Sequence, residues 1–364
     1  MKQLFFLFLA LFAGVQSSRS QETEDQYDLA IGGAVRMNYL YKSWDESQNK
    51  TGGEIAYDMI RFDIDANYNN VITSAQIRFY RPDFGGILIH HAYMGYKFEH
   101  SEIHIGIDQV PFGIQTYASN NWFFNINYYV GLEDDYDLGV QYIYKKNKLG
   151  LKAAFFKNSE MPADNFSRYS YDITGTHSEV NQLNLKATYD FKKLEIGLST
   201  QIGQLEETAT GDLGKQSAYA VHAHGQMGPF DYKLQGTYFK IDPKGSEKEI
   251  VYMSAYGAEY AVTTEALVLT AGLLYSWPID AGPLKSLDFY NDFGIIGKQI
   301  SGQTNSLINV LGVGVNMGKM YTYVDWALGK NHSWLGPLWT DAFGAGDPEA
   351  SWHARFNINF GYYF

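Results

Sequence analysis

Acidic and basic side chains recur at alternate positions along this chain, a spacing that aims them at one face of a strand. Arg36, Arg61, Asp63, Asp65, Arg78, Glu102, Asp108, Lys186, Asp231 and Asp325 form this set, with Lys97, Lys152, Lys233 and Glu195 beside them. Fixed charges of both signs along a wet passage are the chemistry of solute selection, through rings or ladders of charge. Other groups point to less. His222 and His224 lie two apart on one strand face, but two ligands are too few for a metal. The run Glu133, Asp134, Asp135 with Asp137 has the oxygen donors of a calcium loop, yet it reads as a solvated loop end. "GVGVNMG" at 312–318 echoes a phosphate-cradling loop, but no helix follows it, so its glycines are structural. Neither G-x-S-x-G nor H-E-x-x-H occurs, which is partial evidence against a hydrolase. No metal and no cofactor is expected.

These charges need strands to hold them. Nearly the whole chain reads in period two. Val35, Met37, Tyr39 and Tyr41 oppose Arg36, Asn38 and Lys42, and Ile60, Phe62 and Ile64 oppose Arg61, Asp63 and Asp65. Leu183, Leu185, Ala187 and Tyr189 oppose Gln182, Asn184, Lys186 and Thr188. Met320, Val324, Trp326 and Leu328 alternate with Tyr321, Tyr323 and Asp325, and the chain closes on "RFNINFGYYF" in the same pattern. Tight turns at Asn69-Asn70, Glu99-His100, Lys146-Asn147, Lys192-Lys193, Gly228-Pro229 and Gly318-Lys319 separate long polar connections at 43–54, 111–134, 158–179, 204–216, 242–264 and 331–351. Alternation of short and long connections gathers the long ones at one end of a meander.

Composition narrows the setting. Residues 1–20 have the layout of a secretory signal, Lys2 and then "LFFLFLALFAGV", with cleavage expected near Ser20-Gln21 and residues 21–364 forming one domain. That apolar run is too short to span a bilayer, and no other stretch reaches eighteen apolar residues. A net charge of −12 argues against nucleic acid as a partner. The absence of cysteine excludes disulfides and cysteine metal sites. Tyrosine, at 29 residues, outnumbers phenylalanine at 23, as suits rings that lie in grease with a wet tip.

A soluble barrel would have to desolvate the charged face in its core. A lipid-facing barrel instead needs an apolar outside, where Lys or Arg at mid-depth costs about 2–4 kcal/mol. The pattern therefore predicts a single closed, antiparallel, up-and-down transmembrane β-barrel in the outer membrane of a Gram-negative bacterium, with long extracellular loops and short periplasmic turns. Its expected count is about 16 strands, with "EIVYMSAYGAEYAV" placed in an extracellular loop, and 18 if segment 111–134 hides a hairpin. Phe364 is expected to end the last strand, pair it with the first and serve as the signal read by the barrel assembly machinery.

Segment 111–134 is long for a compact chain, which marks function or disorder. Its aromatic content, including Phe112, Tyr117, Trp122, Phe123 and Tyr128, argues against disorder. We expect it to fold into the lumen after the fifth strand and narrow a water-filled channel. Pro111, Phe112, Tyr117, Asn120, Asn121, Trp122, Glu133 and Asp134 are its candidate constriction residues. Gly106, Pro111, Phe112 and Gly113 fit a G-x-x-x-x-P-F-[GS] element, and with "SLDFYNDFGII", "YTYVDWALGKNHSWLG" and the last strand the chain resembles the phosphate-selective porin O and P family. The resemblance implies an outer-membrane porin, passive and not an enzyme, with outer-membrane lipid, lipopolysaccharide and small polar solutes as partners, assembled as a homotrimer. The chain departs from the family's one-sided basic ladder, because 111–134 has no Lys or Arg and ends acidic. Asparagine and tyrosine at the narrowest point suit neutral polar solutes such as sugars, with an unselective sieve as the alternative. An outer-membrane barrel enzyme of lipase or protease type, or an adhesive barrel without conductance, are the alternatives. An energised receptor would need about 22 strands and a plug domain.

Overall fold

The computed structural model describes residues 27–245 and 247–364; the expected signal segment and its cleavage point lie outside the described residues. Sixteen antiparallel strands close into one barrel. In chain order these are β1 (Tyr27–Lys42), β2 (Glu54–Tyr68), β3 (Val71–Phe79), β4 (Ile87–Lys97), β5 (Ser101–Gln109), β6 (Tyr136–Lys146) and β7 (Leu149–Ser159). After a two-residue strand outside the barrel, β8 (Asp172–Ile173), come β9 (His177–Asp190), β10 (Leu194–Glu207), β11 (Leu213–Met227) and β12 (Phe230–Asp242). The hairpin β13 (Ile250–Ala255) and β14 (Ala258–Thr263) also stands apart, and β15 (Glu265–Ala281), β16 (Leu284–Lys298), β17 (Ser306–Met317), β18 (Met320–Lys330) and β19 (His353–Tyr363) complete the wall.

The apolar face looks outward. Leu185, Leu198, Val221, Leu234 and Leu269 are all 45% exposed or more on neighbouring strands, while the next residues along, such as Lys186, Ser199 and Gln235, are buried inside. Exposed aromatics, among them Tyr96, Phe98, Tyr189, Phe191 and Tyr362, sit beside the short turns, as expected for rings at a membrane interface. The barrel is closed by β1 against β19, with Met37 opposite Phe360 and Arg36 opposite Gly361. Phe364 ends the seam, exchanging 3.1 Å backbone hydrogen bonds with Gly33. This closure removes both sheet edges.

Sixteen strands stand, and 111–134 contains no hairpin. "EIVYMSAYGAEYAV" lies outside the barrel wall, but it is a paired hairpin that adds to β8 rather than irregular loop. The expected connection at 204–216 is corrected. Strands β10 and β11 run on through it, pairing Gln204 with Lys215 and Leu205 with Gly214, and leave only 208–212 as a turn. Above the membrane the outer face meets water, so polar residues accumulate without ending the strand. A further tight turn at Gly282, with φ of 60°, joins β15 to β16 and was not read from sequence. "GVGVNMG" is the end of β17 and its turn. A Cβ on Gly312 would lie 2.5 Å from both Asp325 and Tyr290, so the glycine makes room for inward side chains.

Candidate functional site

Segment 110–135 leaves β5 and runs along the inside of the barrel. Its ends are tied, Val110 N–H donating to the Asp135 carbonyl at 2.8 Å. From there its contacts are with inward-facing side chains of distant strands. Gly113 N–H donates to Ser199 Oγ on β10 (3.1 Å) and Ile114 N–H to Gln235 Oε1 on β12 (2.8 Å). Gln115 Oε1 accepts from Lys152 on β7 (2.9 Å) and Lys186 on β9 (3.1 Å). Lys233 on β12 donates to the Ser119 carbonyl and to Asn120 Oδ1, both at 3.0 Å.

The strongest anchors are two wall carboxylates. Asp292 on β16 accepts from Asn120 N–H (2.8 Å), Asn120 Nδ2 (2.9 Å) and Asn121 Nδ2 (2.7 Å). Asp325 on β18 accepts from Trp122 N–H (3.2 Å) and from the Tyr290 hydroxyl (2.6 Å). These bonds, with those of Lys152, Lys186 and Lys233, hold a segment that has no Lys or Arg of its own. Glu133 turns inward too, its Oε1 accepting Ala118 N–H at 2.8 Å. Burial pushes its carboxyl up to about 8. The solvated acidic end expected from sequence is overturned: Glu133, Asp134, Asp135 and Asp137 are all buried. Asp134 Oδ2 receives the Tyr169 hydroxyl at 2.5 Å and its Oδ1 the Tyr136 hydroxyl at 3.0 Å.

Across from the segment stands a wall of arginine. Arg355 on β19, Arg36 on β1, Arg61 on β2 and Arg78 on β3 come from four adjacent strands and line one cavity of about 380 Å³. Arg36 pairs with Asp58 and Arg61 with Asp63, each at 2.8 Å. Arg78 and Arg355 have no acidic partner within ion-pair distance among the described residues. Arg78 lies 4.3 Å from the centre of the Tyr169 ring, and Arg355 lies 5.0 Å from Phe123 and 5.4 Å from Trp122. Both guanidiniums thus line the cavity while lying over aromatic faces, and Arg78 Nε also donates to Gln76 Oε1 at 2.6 Å. The cavity's other side is aromatic: Phe124 stacks on Tyr128 at 4.1 Å and Phe84 on Tyr256 at 4.8 Å. Beyond it, Tyr169, Tyr171, Tyr260 and Phe343 from the extracellular connections pack into an apolar cluster with Tyr129.

The structure brings Arg36, Arg61, Arg78, Tyr117, Asn120, Asn121 and Trp122 together around this cavity. Pro111 and Phe112 lie buried where the segment starts, and Asp325 lies beneath it. Other expected lining residues stand away from the cavity. Asp65 accepts from Ser74 (2.6 Å), Asp108 pairs with His104 (2.8 Å), which also reaches Glu102 (3.0 Å), and Asp231 pairs with His224 (2.9 Å). His222 points to Glu195 at 3.3 Å, so the two histidines have separate partners. The segment itself carries no Lys or Arg, as its sequence shows, and the four arginines of the site sit on the barrel wall that faces it. Arg355 and Asp292 were missed as site residues, although both occupy the polar positions of their strands. Which strands meet across the closure, and hence that Arg355 joins Arg36, is not written in local spacing.

No family model and no curated protein matches the chain. Solved structures match along nearly its whole length. The anion-selective porin from Comamonas acidovorans superposes with a TM-score of 0.63 at 13% identity, covering 93% of this chain and 100% of its own. The outer membrane channel DcaP of Acinetobacter baumannii gives 0.59 at 13%, covering 94% and 99%. OmpT of Vibrio cholerae in its trimer form gives 0.60 at 14%, covering 93% and 100%. At these identities the likeness is one of fold, that of the outer-membrane porin barrel.

Proposed function

We propose that this chain is an outer-membrane porin, a passive diffusion channel for small hydrophilic solutes that admits anions in preference to cations. Segment 111–134 is its constriction. The single observation that carries the reading is the division of charge inside the barrel. Asp292 gives both oxygens to the segment's N–H groups, and Asp325 and Glu133 give one each, while four arginines face the free volume with, among the described residues, only Asp58 and Asp63 paired to them. Arg61 and Arg78 are also register partners, and like charges directly opposite each other destabilise a sheet. A transient anion between them offsets that cost. Where the segment's own composition suits neutral solutes, this wall suits anions, and anion preference agrees with the resemblance to phosphate-selective porins. The Comamonas neighbour is an anion-selective porin, which supports the same reading. A homotrimer is proposed on the resemblance and on the trimeric neighbour.

The test is a planar-bilayer recording of the purified protein across a salt gradient. The reversal potential is expected to report anion preference, and Arg78→Gln with Arg355→Gln to reduce the anion-to-cation permeability ratio several-fold. Cation preference in the wild type, or no conductance at all, would overturn the proposal.

A further inference from the structure

Where the lumen segment runs into β6, carboxylates converge in a place remote from the arginine wall. Asp135, Asp137 and Asp172 each present an oxygen, and the three oxygens lie within 4.8 Å of one another. All three residues are at most 5% exposed. Two more carboxylates adjoin them: Glu160 accepts Ser170 N–H at 3.3 Å and Glu179 accepts Ile173 N–H, next to Asp172, at 3.3 Å. The cation beside them is Arg168, fully buried, with Nη1 2.7 Å from Asp172 Oδ2 and 4.0 Å from Glu160 Oε2. The rest of its guanidinium is spent on the carbonyls of Asn165 and Met161 and on Pro162. One guanidinium faces five buried carboxyl groups, an excess that only the uptake of protons or of a further cation can balance.

A second observation is independent of the charge count. Asp137 is 1% exposed, and its Oδ1 has no hydrogen-bond partner, although Gln182 satisfies Oδ2 at 3.0 Å. Glu160 Oε2, on a side chain 1% exposed, also lacks a hydrogen bond, with the Arg168 guanidinium 4.0 Å away. A buried carboxyl oxygen left without a hydrogen bond is costly and calls for a partner. Three oxygens mutually within 4.8 Å surround a point at most about 2.8 Å from each, so small closure brings them to the ~2.3–2.6 Å of calcium–oxygen bonds. Magnesium would demand ~2.1 Å and an octahedral shell, for which this set offers no template.

We propose that Asp135, Asp137 and Asp172, assisted by Glu160, bind a calcium ion that staples the exit of the lumen segment to the connection at 160–176. Bound there, the ion joins the start of β6 to β8 and fixes the segment's acidic end, including Asp134 and its tyrosine contacts. The calcium comes from outside the cell, the side on which the long connections gather.

The test uses the full chain refolded without lipopolysaccharide, stripped with EGTA and dialysed. Terbium is the probe, since Tyr136, Tyr169 and Tyr171 lie close enough to sensitise its luminescence. The expected result is a saturable signal displaced by calcium, and a melting temperature raised by calcium but not by magnesium at equal ionic strength. Asp137→Asn keeps the shape, removes one buried charge, and should lose the signal at least tenfold together with the calcium-dependent melting shift. Asp164→Asn, on the exposed surface of the same connection, should keep both. Asp135→Asn replaces Asp137→Asn if the latter does not fold. No saturable signal in the wild type, identical melting in calcium and EGTA, or full calcium response in Asp137→Asn would each overturn the site.

Discussion

Single side chains in the lumen do two different jobs, and Glu133 shows how burial separates them. Its Oε1 holds Ala118 N–H at 2.8 Å, while its other oxygen has no partner. Loss of water is the main reason its carboxyl rises from 4.5 to about 8, and Asp134 adds to it. A raised carboxyl binds its proton in the folded chain when the unfolded chain has already released it. Its contribution to stability is therefore complete below pH 4.5 and is lost as pH climbs towards 8. Glu133→Gln retains an acceptor for Ala118 and removes the titration. Thermal melts of the detergent-solubilised protein should show wild-type stability falling between pH 5 and 8, and the variant losing about one proton's worth of that slope. Equal slopes would place Glu133 in water. None of this is legible in "LEDDYD", which looks like any solvated acidic turn; the residues that bury it arrive from elsewhere in the chain.

At the scale of elements, what the sequence shows well is what repeats locally. Period-two alternation locates the strands, and Asn69, Asn147 and Lys192, with φ of 54°, 55° and 76°, mark turns that were legible as polar pairs. What it shows poorly is destination. Asn120 meets Asp292 across 172 residues and Trp122 meets Asp325 across 203, and no spacing rule encodes such contacts. The lumen segment itself has one local signature, the glycine at its first bend. Gly113 has φ of 56°, and a Cβ there would come 2.5 Å from Gln235 Oε1. A β-branched residue adds about 1–2 kcal/mol of left-handed strain to that clash. Gly113→Val should therefore detach the bonds to Ser199 and Gln235 and let the segment swing from the wall. Single-channel recordings should then show larger, noisier conductance with weaker ion preference, while heat stability of the barrel changes little. Unchanged conductance would mean that the segment does not set the narrowest section.

On the scale of the whole molecule, the barrel exchanges the usual places of grease and charge. Lys186 and Leu185 are neighbours on β9, one 7% exposed inside and the other 45% exposed outside. The same charge therefore has opposite consequences one residue apart. Leu198, 61% exposed on β10 and opposite Val221 and Ala187, lies near the middle of the apolar band. Five residues above the 191–193 turn, with a rise of ~3.3 Å each and a tilt of ~45°, put it roughly 12 Å into a band about 25 Å tall. Leu198→Arg should cost about 2–4 kcal/mol of folding stability in lipid vesicles. A soluble barrel with a water-facing Leu198 would lose nothing measurable. The comparison to make is reversible unfolding in vesicles against Leu198→Phe, which preserves apolar contact and should stay within about 1 kcal/mol of wild type. A negligible difference between the two variants would mean that this face does not meet hydrocarbon. The inward charges would then need another explanation, because only an apolar exterior obliges the chain to keep its arginines, lysines and carboxylates around a common interior.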